Sequence, residues 1–413
     1  MNGNDEGADM RCIGRNAAMR RGIVLSSAAV LFALTAPVPL ARADTIRSQQ
    51  WYLDAMRAEE MWQKTTGSGM TVAVIDSGVD AELPDLHGQV LSGKDFSGLE
   101  GDAHSDYDGH GTSMAVLIAG NGKSNGGSGA FGLAPGVKIL PLRVANSEVP
   151  AAKVPIANSV AAAIRYAADS DAKIVNISMG GNLENEAEGE AVKYAISKGK
   201  LVFAAVGNTG DKRNLVEFPA AFPGVVGVAA VDQDIKATAE SQHGPQVDLA
   251  APGDNIVFTC KGGTGLCRGH GTSAATALAS ASAALLWSAH PDWTANQVLR
   301  VLINTAGGPK SGEKRSDSIG YGVVRPRIAL QNPGDPGPAD ISPLPELAVA
   351  KPSSPGATGG GRDSAHRQAA EPAKGSDGLL SQRNVLAVGV AAAVVLAAGV
   401  SVLFTRRRRA LPK

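Results

Sequence analysis

"TVAVIDSGVD", Thr71 to Asp80, is the stretch from which the fold can be read. Its first five residues are apolar or β-branched at consecutive positions, without the in-and-out alternation of a half-exposed strand, so both faces of the segment belong in a core. Asp76 then puts a carboxylate at the end of the run, and Gly78 lets the backbone leave at once. Four further runs have the same character: "KILPLRV" (Lys138 to Val144), "KIVNISM" (Lys173 to Met179), "LVFAAVG" (Leu201 to Gly207) and "VVGVAAV" (Val225 to Val231). Longer helical stretches separate them, at Thr112 to Ala119, Ser159 to Ala168 and Glu188 to Ser197. Strand, helix, strand in repetition implies a three-layer α/β domain, a central and mostly parallel sheet flanked by helices. Ligands of such sheets bind at the carboxyl ends of the strands, which is where Asp76 lies.

The pentapeptide "GHGTS" occurs twice, at Gly109 to Ser113 and at Gly269 to Ser273, in a chain with 7 histidines. The first copy follows "DYD" and opens a helical stretch, so His110 sits in a glycine-rich loop-to-helix junction. The second opens the alanine-rich run "GTSAATALASASAALL", where the Ser273 hydroxyl projects beside free backbone N–H groups of a helix start. The repeat is therefore no duplication: one copy supplies a histidine and the other a serine. Serine at its ordinary pKa is a poor nucleophile, so it needs a base, and the base needs an orienting partner. Ser273 as nucleophile, His110 as general base and Asp76 as its partner make that set.

The order Asp76, His110, Ser273 is that of the subtilisins. The stretch from about Trp51 to Leu330 resembles a subtilase, a serine endopeptidase. With the leader, tether and terminal span described below, the chain is most similar to the mycosins, membrane-anchored proteases associated with type VII secretion. The resemblance implies that the Asn208 side chain in "AAVGN" and the Ser273 backbone N–H form the oxyanion hole. It also implies that Ser178, Met179 and Gly180 in "NISMGG", with Ala205 and Gly207, wall the primary specificity pocket, and that "LRV" around Leu142 is an edge where the peptide adds as a strand. One departure is Ala277, where most subtilases have proline, which leaves the helix register near Ser273 open. Another is the short distance from the expected cleavage point to Asp76, too little for a large folding propeptide, so the segment should stay attached and pack on the domain.

Asp95, Glu100, Asp102, Asp106 and Asp108 precede His110 and read as a solvated acidic loop without calcium-loop spacing, so neither metal nor cofactor is expected. Lys plus Arg equals Asp plus Glu at 39 each, a balance that argues against nucleic acid as partner. At the amino end, Arg20 and Arg21 precede an apolar run ending in "ARA", Ala41 to Ala43, which reads as a signal peptide over residues 1–43, with Met1 or Met19 as the start. The peptidase domain is assigned to 44–331. Residues 332–383 are rich in Pro, Gly, Ala and Ser and read as a tether. Val385 to Phe404 is uncharged and long enough to span a bilayer, giving a transmembrane helix over 384–405. The basic tail 406–413 then stays in the cytoplasm and the domain outside. Cys260 and Cys267, exported to an oxidising compartment, read as a disulfide, free thiols being the alternative.

Two functions fit these features. One is an endopeptidase acting on protein or peptide substrates outside the membrane; the other is a largely non-catalytic scaffold of a type VII secretion complex. A lipase with the same catalytic groups would place its serine in G-x-S-x-G, which Ser273 lacks.

Overall fold

Seven strands hydrogen-bond into one sheet in the order β2-β3-β1-β4-β5-β6-β7, and every pairing is parallel. They are β1 (Thr71–Asp76), β2 (Lys94–Asp95), β3 (Lys138–Arg143), β4 (Ile174–Ile177), β5 (Leu201–Ala205), β6 (Val226–Val231) and β7 (Leu249–Pro252). The structure is a computed structural model that describes residues 45–145, 156–260 and 265–344. The expected signal peptide, membrane span and basic tail lie outside the described residues, among which no helix is long and apolar enough to cross a membrane.

The helices are α1 (Trp51–Ala55), α2 (Ala58–Trp62), α3 (His110–Ala119), α4 (Ile156–Asp169), α5 (Glu186–Ser197), α6 (Thr272–Ala289), α7 (Ala295–Thr305) and α8 (Pro326–Gln331). The period-2 geometry of a strand divides β1 between two cores. Val72 and Val74 pack with residues of α3 and α6 on one side of the sheet, while Ala73 and Ile75 pack with residues of α4 and α5 on the other. Because both faces are covered, the strands carry the continuous apolar runs from which they were read.

Local chemistry sets the helix boundaries. Asn185 caps α5 by accepting from the N–H of Glu188 at 3.0 Å, and Thr294 with Gln297 makes a capping box at the start of α7. Helix α6 runs unbroken through Ala277, which is fully buried, so alanine in place of proline leaves the helix intact.

β1 lies between β3 and β4, so the chain leaves it first toward one edge of the sheet and later builds toward the other. That reversal opens a crevice at the carboxyl end of β1, where Asp76 sits. Leu142 corrects one expectation. It pairs with Ile75 of β1 on one side and Lys94 of β2 on the other and is fully buried, so no edge is open there for a peptide. The apolar pattern of "LRV" marks core packing.

A hairpin of β8 (Ile256–Thr259) and β9 (Leu266–Gly269) leads directly into α6. The disulfide Cys260–Cys267 closes it, with the Cα atoms 5.0 Å apart. The amino-terminal segment packs against this hairpin. Tyr52 is fully buried and donates to the Val257 carbonyl at 2.8 Å, and the Trp51 indole donates to the Asp254 carbonyl at 3.1 Å. Gln50 pairs in both directions with the Phe131 backbone. Burial of Tyr52, Leu53 and Met61 contributes about 1.5–3 kcal/mol each, enough to hold the segment in place.

At the other end, the first residues of the expected tether belong to the domain. Arg300 of α7 donates to the carbonyls of Pro336 at 2.7 Å and Pro338 at 2.9 Å, and Thr294 to that of Ala339 at 2.9 Å. Proline lacks an N–H but keeps a carbonyl, and the forked guanidinium gathers several of them.

Candidate active site

Asp76 closes β1 and is 1% exposed. Its Oδ1 accepts from His110 Nδ1 at 2.7 Å and from the Ser77 N–H at 2.8 Å. A carboxylate can only accept, so Nδ1 carries the proton and Nε2 is left as the basic nitrogen. The Asp76 charge is the largest influence on the imidazole. With help from Asp108 and Asp106 it outweighs burial and pushes His110 up from 6.5 to about 9.

His110 is the first residue of α3, and its two glycines serve different ends. Gly109 has φ +91°, open to glycine at little cost, whereas a Cβ on Gly111 would stand 2.1 Å from the Gly78 carbonyl oxygen. The helix start is thereby held against the exit of β1. Asp106 fixes this contact. It is buried and accepts from the N–H groups of Gly109 at 2.8 Å and Thr112 at 2.9 Å, and from the hydroxyls of Ser77 at 2.8 Å and Thr112. Ser77 Oγ in turn accepts from the Gly111 N–H at 2.9 Å. One member of the acidic run read as solvated is therefore an internal anchor.

Ser273 is the second residue of α6. Its hydroxyl donates to the Ser178 carbonyl at 2.8 Å, and its own carbonyl accepts from Ser178 Oγ at 3.0 Å. Among the described residues no hydrogen bond joins it to His110. The two are brought to the same crevice by register: Ile75 pairs with Ile177, so Ser178 lies beside Asp76 at the carboxyl edge. Asn176, fully buried within β4, donates to Ser178 Oγ at 3.0 Å and accepts from Ser280 of α6 at 3.0 Å. Asn176 is the one polar residue within the apolar run "IVNI", and that was the available signal for this strut.

The residue that precedes helix α6 gives it no side-chain cap, since it is Gly271, with φ +119°. Asn208, exposed just beyond β5, supplies one: its Oδ1 accepts from the Thr272 N–H at 2.9 Å and from the Thr272 hydroxyl at 3.1 Å. With the oxygen so engaged, the amide Nδ2 is the end left to donate, at the helix start that carries the Ser273 N–H. A Cβ on Gly271 would stand 3.0 Å from Asn208 Oδ1, which explains glycine there.

Ser178, Met179 and Gly180 follow β4, and Ala205 and Gly207 close and follow the neighbouring β5, so both predicted pocket walls stand at the same edge of the sheet. Ser178 and Ala205 are buried, Met179 half-buried and Gly180 exposed. No group of three or more His, Cys, Asp or Glu side chains suited to a metal ion occurs among the described residues.

The pattern that defines the subtilase family matches residues 67–322. The chain belongs to the subtilase family. This subtilase is 35% identical over 260 residues to thermitase of Thermoactinomyces vulgaris, spanning 63% of this chain and 88% of thermitase. It is 38% identical over 227 residues to the thermophilic serine proteinase of Bacillus sp. (strain AK1), and there it spans 54% of the relative's length. Among solved structures it resembles MycP1 from Mycobacterium smegmatis, with a TM-score of 0.63 and 28% identity over 72% of this chain and 88% of that one. The MycP3 protease from the type VII (ESX-3) secretion system aligns with a TM-score of 0.61 and 32% identity over 71% of this chain and 90% of that one. A chain of the periplasmic assembly from the ESX-5 inner membrane complex aligns with a TM-score of 0.62 and 28% identity over 77% and 92%. The subtilase is accordingly a serine endopeptidase, with mycosins among its structural neighbours.

Proposed function

We propose that this subtilase is a membrane-anchored, extracytoplasmic endopeptidase that cleaves exported proteins through Ser273, His110 and Asp76. The observation that carries the reading is the 2.7 Å contact between His110 Nδ1 and buried Asp76, which leaves Nε2 basic at the crevice where α6 presents Ser273. In the reaction Ser273 Oγ turns from the Ser178 carbonyl to His110 Nε2 and attacks the scissile carbonyl. Nε2 takes the hydroxyl proton as the Oγ–C bond forms. The resulting oxyanion is held by the Asn208 amide and the Ser273 N–H. Nε2 then returns the proton to the departing amine as the C–N bond breaks. Water, deprotonated by the same nitrogen, then attacks the acyl carbon, and Nε2 passes that proton to Ser273 Oγ as the Oγ–C bond breaks and the acid leaves.

The test is fluorophosphonate labelling of the purified protein beside Ser273→Ala. Labelling that requires Ser273 supports the assignment. A folded protein that never labels refutes it. A second reading, a structural subunit of a type VII secretion machine, is favoured by the likeness to a chain of the ESX-5 periplasmic assembly. Secretion that survives Ser273→Ala but fails on deletion of the whole protein would support that role beside catalysis.

A further inference from the structure

The two pocket walls converge on one side chain that the mechanism does not use. A Cβ on Gly180 would stand 3.0 Å from Glu217 Oε2, and a Cβ on Gly207 would stand 2.6 Å from Glu217 Cδ. Gly207 also has φ +106°, a conformation natural to glycine. Both walls are therefore glycine where they meet the carboxyl group, which takes the volume that larger side chains would need. The backbone holds it there: Gly181 and Phe218 exchange hydrogen bonds of 3.0 Å and 2.8 Å, which ties the loop after β4 to the residue next to Glu217. Ala205, the small residue that closes β5, stands at the same edge of the sheet.

The charge balance of this slot is incomplete. Glu217 is half-buried, and its hydrogen-bond partner among the described residues is the neutral amide of Gln242, which donates to Oε1 at 2.7 Å and to Thr209 Oγ1 at 2.9 Å. None of the ion pairs among the described residues includes it. Burial pushes its carboxyl upward. A half-buried carboxylate set between two glycines, with a neutral amide on Oε1 and no ion pair among the described residues, is what a cationic side chain on an apolar stem would complete: the methylenes would run along the glycines and the charge would reach the carboxylate.

We propose that Glu217 is the floor of the pocket for the residue preceding the scissile bond, and that it makes the enzyme selective for lysine or arginine at that position. The inference rests on the peptidase reading above and adds the substrate class to it. An ammonium or guanidinium in the slot gains a hydrogen-bonded ion pair, whereas an uncharged residue of equal length leaves the carboxylate desolvated and unpaired.

The test uses peptidyl diphenyl phosphonates bearing lysine, norleucine or glutamate at the reacting position, with a simple fluorophosphonate as the unselective control. Their second-order inactivation rates report attack by the activated serine on phosphorus and require no turnover. The expected result is lysine faster than norleucine by about 10²-fold, with glutamate slowest. Glu217→Gln, isosteric and uncharged, should bring lysine and norleucine within about threefold when each rate is divided by the fluorophosphonate rate of the same protein. Equal rates for lysine and norleucine in the native protein, or an undiminished preference in Glu217→Gln, overturn the assignment of the pocket and leave the peptidase standing. Native protein that does not react with fluorophosphonate overturns the peptidase reading instead.

Discussion

Asp106 offers the sharpest test of how the site is built. It lies outside the expected catalytic set, yet it takes hydrogen bonds from the N–H groups of Gly109 and Thr112 and from the hydroxyls of Ser77 and Thr112. Replacing it with alanine strands these donors at the start of α3. A hydrogen bond to an ionised group contributes about 1.5–3 kcal/mol, but water reaches part of the loop and the contributions do not add. Loss of a helix cap costs about 1 kcal/mol, and breaking a buried charged network about 3–5 kcal/mol. We expect Asp106→Ala to cost about 4 kcal/mol, which for a domain of this size lowers the melting temperature by roughly 7 °C. Asp106→Asn keeps one carbonyl oxygen but turns an NH2 toward N–H and O–H donors, so about half that loss is expected. Because His110 rides on the same helix start, the alanine variant should also label about 10²-fold more slowly when folded, as misplacement of a catalytic group by about 1 Å does. Chemical denaturation gives the first quantity and fluorophosphonate kinetics the second. If both variants stay within about 0.5 kcal/mol of the native protein, the network is incidental and the reasoning fails.

Asn208 has separable duties. Asn208→Ala should lower the turnover number by about 10²–10³-fold and also loosen α6, whereas Asn208→Asp keeps the oxygen that caps Thr272, so its melting temperature should stay near native while activity falls as far. Normal turnover in the aspartate variant would exclude the amide as an oxyanion donor. The His110 pKa is raised above the ordinary 6.5 to about 9, and the base must be neutral, so the labelling rate should climb with pH and level off near that value. The same shift contributes stability that is whole below pH 6.5 and lost as pH rises through about 9; Asp76→Asn removes its largest cause and should move the labelling profile to lower pH. A profile already flat at pH 6 would contradict this. Reduction of Cys260–Cys267 should cost up to about 2.5 kcal/mol by the loop-entropy argument, read as a shift of the denaturation midpoint with and without reductant.

The strands most legible in the sequence were those buried on both faces. "TVAVID" is β1 residue for residue, because apolar or β-branched residues at five consecutive positions leave few alternatives. β7 went unread: "LAAP" is short, and its small side chains carry little propensity until β6 lies beside it. The hairpin that precedes α6 was visible only as a disulfide loop. At the site, Asp76, His110 and Ser273 could be named because catalysis restricts residue type and glycine marks close approach, whereas Asn208 was named only through the resemblance to subtilases. Asp106 could not, since its carboxylate looks like its solvated neighbours until the fold buries it. Leu142 failed for the converse reason, because a strand that ends near a site looks the same whether its edge is open or already paired. Glu217 sits in "VEFPAAFPG", a loop without periodicity, and only the meeting of two distant glycines around it gives it meaning.

The resting place of the Ser273 hydroxyl has a consequence for timing. A hydroxyl spent on the Ser178 oxygen is a latch, and releasing it takes a single-bond rotation between staggered wells, a matter of picoseconds to nanoseconds. The same main-chain oxygen is an acceptor that an extended chain lying along Ser178 to Gly180 would claim with its own N–H. An arriving peptide would therefore compete with the nucleophile for one atom, and a peptide that won it would free the serine to turn. The unliganded protein keeps the Ser273 hydroxyl occupied, and on the proposed mechanism occupancy of the groove would itself be the signal to begin.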